Sequence, residues 1–413
     1  MNYFPLNKIR STSGTYKLWI SFSLLFIICL GIFRINQPYY GDEYHFVQTI
    51  RLFGSTSWPL IFKDYPEVTT PLTYIIFAAW GKIFGFELYT LRLLLLIISF
   101  IFLLILYRMI FLFERNEKRV LLLCIVIMLN PYMWGLSIFV FTDMLMLLFL
   151  ITAVYSFGRN YYLIAAVLLG LAILCRQYSL IFAVGLWLYL LVQGILKSNY
   201  KIFIRFTSVL VICLIPFVIL MILWGGMSPP SGRRLFIVQD SFFWNPHGFV
   251  TYVSFSAIYI FPLIVINYRK LINYKRLLFP SIFFSIIYLL FPVQVSEVTK
   301  IQVHLDTVGL IHKLIHYVFG SGLIGNVVLY FYFIIGIWLL LVFLSEDTKN
   351  LKLRVLNNNF LFTLIIFLFL TVMPFSYQIW EKYLVMIIPL LVLRFDKVRE
   401  FTKSSKRIDE DYK

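Results

Sequence analysis

Apolar residues run through this chain in stretches of about twenty, long enough to cross a bilayer, separated by short polar or basic breaks. Such runs fall near 18–34, 89–113, 120–139, 142–157, 161–175, 178–196, 206–224, 249–267, 277–293, 324–344, 357–376 and 382–395. Apolar runs of that length read as membrane-spanning helices. One further run, 71–86, passes the same hydropathy test, but a full crossing there would invert the sidedness of every later loop. Lys and Arg concentrate in cytoplasmic loops of helical membrane proteins. With the tail carrying Lys8, Arg10 and Lys17 inside, an interfacial or re-entrant 71–86 puts most later clusters inside too. These are Arg115/Lys118/Arg119, Arg159, Lys197/Lys201/Arg205, Arg269/Lys270/Lys275/Arg276, Lys349/Lys352/Arg354 and the tail from Lys397. The other side then carries the 35–70 loop, Asp143, Arg176, the 225–248 and 294–323 loops, and Glu381-Lys382. The expected architecture is an all-α polytopic membrane protein of about twelve spans, both termini cytoplasmic, with interfacial helices in the non-cytoplasmic loops.

Composition agrees. The 413 residues are 61% hydrophobic and 13% charged, which excludes a soluble domain of this size. Mean hydropathy is +0.88. The formal charge of +17 sits in short clusters between apolar runs, where orienting the spans is a sufficient explanation. No long basic tract is present, so nucleic acid is not an expected partner. Cys29, Cys124, Cys175 and Cys213 lie in or beside apolar segments without metal-type spacing and read as packing residues. Residues 18–33 read as a retained first span rather than a cleaved signal. Two outer loops have their own character. Residues 225–248 are rich in turn formers (Gly225-Gly226, Pro229-Pro230, Ser231-Gly232) around Arg233-Arg234. Residues 302–317 read as an amphipathic interfacial helix, with Val303, Leu310, Ile311, Leu314 and Ile315 on one side and His304, His312 and Lys313 toward the other.

Candidate chemistry gathers on the outer side. Asp42-Glu43 in Pro38-Tyr39-Tyr40-Gly41-Asp42-Glu43-Tyr44-His45-Phe46 places two acids at a membrane boundary. They read either as a helix cap with a first-turn acid or as a catalytic pair. Thr69-Thr70-Pro71 is an ordinary helix start with Pro in the first turn. Asp143 is either a cap of its span or a second acid facing the same aqueous site. Arg176-Gln177 stands against the charge bias, as a headgroup snorkel or a bidentate phosphate ligand. Lys382-Tyr383 reads as an interfacial belt pair or as part of the same site. His312 and His316 stand four apart on a helix, a spacing open to metal, but no third ligand accompanies them and no metal is expected.

In this order the pieces resemble a known family. Pro38–Gln48, Glu67-Val68-Thr69-Thr70-Pro71-Leu72-Thr73-Tyr74, Phe141-Thr142-Asp143 and Arg176-Gln177-Tyr178-Ser179 resemble the motifs of the dolichyl-phosphoglucose-dependent α-1,2-glucosyltransferases, members of the GT-C class. The resemblance is good over 38–180 and loose at Pro374-Phe375 and Trp380–Tyr383. The chain departs from the pattern at the inserted Gly41, at Glu67-Val68 in place of Lys-Ile, and at Leu72-Thr73 after the Thr-Thr-Pro. The resemblance implies one integral membrane domain over 1–413. Within it, a GT-C-like module would occupy 18–224 with its catalytic loop at 35–88, a variable module 225–395, and a cytoplasmic tail 396–413. It implies an inverting, metal-independent transfer of a hexose, glucose by the motifs, from a dolichyl- or polyprenyl-phosphate donor to a hydroxyl of a lipid-linked glycan. The implied partners are the membrane lipid, the lipid-phosphate sugar and the glycan acceptor, and no cofactor is needed. The implied location is the endoplasmic reticulum membrane in a eukaryote or the cytoplasmic membrane in a prokaryote. Asp42 would be the base, with Glu43 its orienting partner or substitute. His45, Thr69, Thr70, Asp143, Arg176, Gln177, Lys382 and Tyr383 would bind substrate, Arg233 and Arg234 being further cations for the phosphate. A transporter or flippase of lipid-linked glycans is the alternative. Such proteins carry repeat symmetry and charges near mid-span, whereas here the ionisable residues sit at span ends.

Overall fold

A computed structural model describes residues 14–235, 243–296, 299–300, 304–376 and 378–398. Lys8, Arg10, Val303, part of the 225–248 loop and the tail beyond Val398 lie outside these residues. The described chain is helical, and among these residues no strand occurs. Among the described residues seven helices are long and apolar enough to cross a membrane: Gly14–Arg34, Leu88–Phe113, Gln177–Lys197, Lys201–Trp224, Pro246–Ile266, Leu323–Lys352 and Asn358–Phe375. The protein is an integral multi-pass membrane protein.

The twelve apolar runs are therefore not twelve equivalent spans. Run 120–139 is a pair, Glu117–Met128 and Pro131–Ile138, bent by 76°. Asn130 causes the break: its side chain accepts from Tyr132 N, and Pro131 follows at the first helical position. Asp143–Gly158 and Tyr162–Cys175 have 16 and 14 residues. Run 277–293 breaks into Lys275–Leu277, Leu278–Phe284 and Ile286–Leu290. Run 382–395 starts as a 3-10 turn, Glu381–Met386, before Ile388–Asp396. Hydropathy measures the cost of leaving water; it does not report where a helix breaks.

Run 71–86 forms Leu72–Phe84, 13 residues ended by Gly85 at φ +98. Thirteen residues reach about 20 Å, short of the roughly 30 Å hydrocarbon core, in keeping with a helix that does not cross. It packs on Glu43–Ser55 with the Phe86 ring wedged between them. A Cβ on Gly54 or Gly81 would stand 2.4 or 2.5 Å from that ring, so both contacts require glycine. The 62–71 loop is tied down from outside. Trp224 Nε1 donates to Phe62 O at 2.8 Å, and Ser231 N and Oγ donate to Asp64 at 2.7 and 2.5 Å.

Charge collects at two ends. At one, Asp42, Asp143, Arg176 and Lys382 converge. At the other, Lys397 pairs with Glu114, Arg119 with Asp396 at 2.5 Å, and Lys270 Nζ donates to Asp396 O at 2.5 Å. Leu88–Phe113, 26 residues and about 39 Å long, separates Arg92 at the first end from Glu114 at the second.

The outer helix forms as Leu310–Phe319, but its apolar and polar residues do not divide onto opposite faces as expected. His312 and Ile315 are buried, while Leu310, Leu314, Tyr317 and Val318 are exposed. His312 is satisfied inside by accepting from Val308 N at 3.1 Å. A polar ring turned inward is tolerated because it finds its hydrogen bond there.

Candidate functional site

The site is built on the start of Glu43–Ser55. Gly41 has φ +54, a left-handed turn that suits a residue without Cβ, and it delivers Asp42 to the helix N-cap position. The Asp42 side chain makes no capping bond there. It lies instead 3.3 Å from Lys382 Nζ and 3.7 Å from His45 Nε2, and is 45% exposed. Burial opposes its charge, but the Lys382 ammonium and the His45 ring outweigh that and hold its carboxyl well below the usual carboxylate range.

Glu43 corrects the sequence reading. It is fully buried, and both oxygens are committed elsewhere. Oε1 accepts from Arg92 Nε and Val140 N, both at 2.9 Å; Oε2 accepts from Arg92 Nη2 at 2.5 Å and Tyr40 N at 3.1 Å. Arg92 also donates to the carbonyls of Arg34, Ile35, Gln37 and Pro38 at 2.8, 3.1, 2.6 and 3.1 Å. This pair shapes the 34–43 loop. Glu43 does not orient Asp42; His45 and Lys382 do.

His45 Nδ1 is 2.5 Å from Oε1 of Glu67, an acid the sequence offered only as a departure from a motif. Burial works against the charged ring, but bonding to Asp42 and Glu67 prevails and pushes its pKa up to about 9. Glu67 itself is pushed up by burial, with His45 pulling it partly back.

Asp143, at the first turn of its helix, accepts from Arg176 Nη2 at 2.8 Å and from Tyr178 O–H at 2.5 Å. Arg176 Nε and Gln177 Oε1 are buried without a partner among the described residues. The Gln177 amide donates to Val68 O at 2.6 Å. Lys382 stands 5.5 Å from the centroid of Phe141 and 5.8 Å from that of Trp380, which enclose it. The Tyr383 ring lies 5.5 Å from that of Tyr178.

Thr69 and Thr70 are both buried. Thr69 Oγ1 pairs with Tyr74 O–H at 2.6 Å, and Thr70 Oγ1 donates to Ile173 O at 2.8 Å. Both hydroxyls are engaged in holding the loop. Arg233 donates to Gly225 O at 3.2 Å and to Trp224 O, closing a helix end, and Arg234 lies 3.7 Å from Asp64. Both are spoken for by the loop itself.

Two bonded groups thus meet at one end of the molecule: Asp42 with Lys382, His45 and Glu67, and Asp143 with Arg176 and Tyr178, the first drawn from residues 340 positions apart, and Asp143 acts on Lys382 across the gap. Residues 68–224 match the family model described as dolichyl-phosphate-mannose-protein mannosyltransferase. The match takes in Thr69, Thr70, Asp143, Arg176 and Gln177, less than half of the chain; Asp42, His45, Glu67 and Lys382 lie outside it. Among solved structures, the S. cerevisiae protein O-mannosyltransferase Pmt1-Pmt2 complex bound to its sugar donor is 17% identical at TM-score 0.40, covering 58% of this chain and 36% of that one. This chain thus spans little more than a third of that yeast chain. ArnT from Cupriavidus metallidurans in the apo state is 13% identical at TM-score 0.42, covering 92% of this chain and 77% of the other. ArnT bound to undecaprenyl phosphate is 14% identical at TM-score 0.40, covering 93% and 78%. Likenesses of that strength carry no assignment of their own. A comparison with curated proteins finds no match.

Proposed function

We propose that the protein is an inverting glycosyltransferase that moves a hexose from a polyprenyl-phosphate donor to an acceptor hydroxyl. The observation that carries this is Asp42: a half-exposed acid, held ionised, 3.3 Å from an enclosed lysine at one end of a membrane protein. The family-model match agrees with it. The acceptor O–H gives its proton to the Asp42 carboxylate as its oxygen bonds to the anomeric carbon. On the opposite face the bond from that carbon to the phosphate oxygen breaks, and its electron pair leaves with the lipid phosphate. Lys382 and Arg176 supply the positive charge that meets the departing phosphate. Arg176 keeps one buried N–H without a partner for such an oxygen. A phosphate that engages Lys382 also loosens its pairing with Asp42 and so restores basicity to the carboxylate. Asp143, braced by Arg176 and Tyr178, orients Arg176 and offers its carboxylate to acceptor hydroxyls. The motifs favour glucose, and the family description names mannose. The shared element is a hexose on a lipid phosphate. No metal or cofactor is assigned a role. The acids of this site stand at helix starts, Asp42 at the N-cap of Glu43–Ser55 and Asp143 in the first turn of Asp143–Gly158, which favours a surface site over a mid-membrane transport path.

The test is sugar transfer in isolated membranes supplied with polyprenyl-phosphoglucose and, separately, polyprenyl-phosphomannose. Asp42→Asn should lower transfer about 10²-fold or more while the protein still accumulates. Near-normal transfer by that variant would remove Asp42 from the mechanism.

A further inference from the structure

One acid beside the site has no part in the transfer step itself. Glu67 is 1% exposed. A carboxylate that deep needs a partner, and it has one in the His45 ring: Oε1 lies 2.5 Å from Nδ1. The ring's other nitrogen, Nε2, stands 3.7 Å from Asp42 Oδ1. The order is therefore buried acid, imidazole, half-exposed acid, with the imidazole bridging the protein interior and the water-facing carboxylate.

The loop that carries Glu67 is held at every step. Tyr65 O–H donates to Thr69 O at 2.6 Å, Glu67 N to Tyr65 O at 2.8 Å, and Gln177 Nε2 to Val68 O at 2.6 Å. Gly232 presses on it from outside, so closely that a Cβ there would stand 2.2 Å from Glu67 O. Such bracing fixes where the Glu67 carboxylate points, and through it the plane of the His45 ring.

We propose that Glu67 is a positioning residue of the transfer site, holding the His45 ring so that its second nitrogen faces Asp42. The proposal rests on the transfer reading above and goes beyond it by assigning Asp42 a built support. The charged and titratable groups facing this relay are Asp42 on the helix of His45, Tyr65 and Glu67 on the loop, and Tyr74 on Leu72–Phe84. Arg176 acts on Glu67, and Lys382 acts on Asp42. With a carboxylate on either side, the ring is protonated at neutral pH, its pKa pushed up to about 9. A doubly protonated ring donates to both acids at once. As pH rises through that value one nitrogen loses its proton, and either the bond to Glu67 or the contact with Asp42 goes with it. Positioning is therefore present below about pH 9 and lost above it.

Two measurements on the full-length protein test this. The first is the pH profile of kcat/KM in membranes. The native protein should lose activity near pH 9; Glu67→Gln, keeping the shape but not the charge, should move that alkaline limb at least about one unit toward neutrality and lower kcat more than KM. Glu67→Asp should restore the limb in part. Reduced activity with an unmoved limb would mean that Glu67 only supports the fold, and the proposal falls. The second needs no substrate: NMR titration of ring-labelled histidine in purified protein, with His45 assigned through His45→Gln. Its midpoint should fall in Glu67→Gln; an unchanged midpoint overturns the relay whatever the activity shows. If native membranes transfer no sugar from any donor while the midpoint falls, the coupling stands and the transferase reading is what fails.

Discussion

Two neighbouring acids, Asp42 and Glu43, have opposite fates because successive residues on a helix point about 100° apart. Asp42 is turned to water and to Lys382; Glu43 is turned inward to Arg92. Their adjacency in sequence made them look like a pair, and nothing local reveals that Arg92, 49 positions on, claims the second one. The two should separate in experiment. Glu43→Gln leaves Arg92 buried beside a neutral amide and is expected to cost about 3–5 kcal/mol, read as reduced accumulation and a lower thermal midpoint in detergent. Asp42→Asn should leave that midpoint near the native value and remove transfer instead. Equal losses of stability in both variants would contradict the division of roles. Lys382 and Arg176 were legible as cations on the wrong side of the charge bias. His45 was legible only as part of a motif, and Glu67 only as a misfit to one.

At the level of elements, the 35–88 segment is a short helix pair locked by close contacts rather than by long spans. Phe86 sits between Gly54 and Gly81, and Gly232 abuts the backbone of Glu67. The second contact gives a direct test. Gly232 adopts no left-handed backbone, so alanine meets no conformational strain, only the Glu67 carbonyl at 2.2 Å. Gly232→Ala should therefore displace the 62–71 loop and lower transfer, by about 10²-fold if the shift at Asp42 approaches 1 Å, with little change in thermal midpoint. Unaltered transfer would show that the loop yields without consequence for Asp42. Hydropathy could not reveal such joints, nor the 76° bend at Asn130, because both depend on single side chains meeting backbone.

Across the whole molecule, apolar helices hold two charged ends apart. The Asp42 end and the Glu114–Lys397 end are separated by the length of Leu88–Phe113. We expect a single cysteine at exposed Tyr44, in a background lacking the four native ones, to react with a membrane-impermeant maleimide from the non-cytoplasmic side. A cysteine at exposed Leu353 should react only after permeabilisation. Labelling of Tyr44→Cys and Leu353→Cys from the same side would overturn the sidedness inferred from charge. The buried Arg394, held by Glu346 at 2.9 Å and Asp347 at 3.3 Å, joins Leu323–Lys352 to the final helix near the second end and belongs to this scaffold.

The chain by itself determined that it is helical, lies in a membrane, and carries its unusual acids and cations at one boundary. Those properties follow from transfer free energy and charge bias, which sum over residues without regard to partners. Tertiary structure alone decided which apolar runs form unbroken spans and which side chains of Leu310–Phe319 are buried. It alone also decided that Glu43 belongs to Arg92 while Asp42 remains open. Each of these depends on a partner distant in sequence, and the energy of an ion pair or a hydrogen bond exists only once both ends have been brought together.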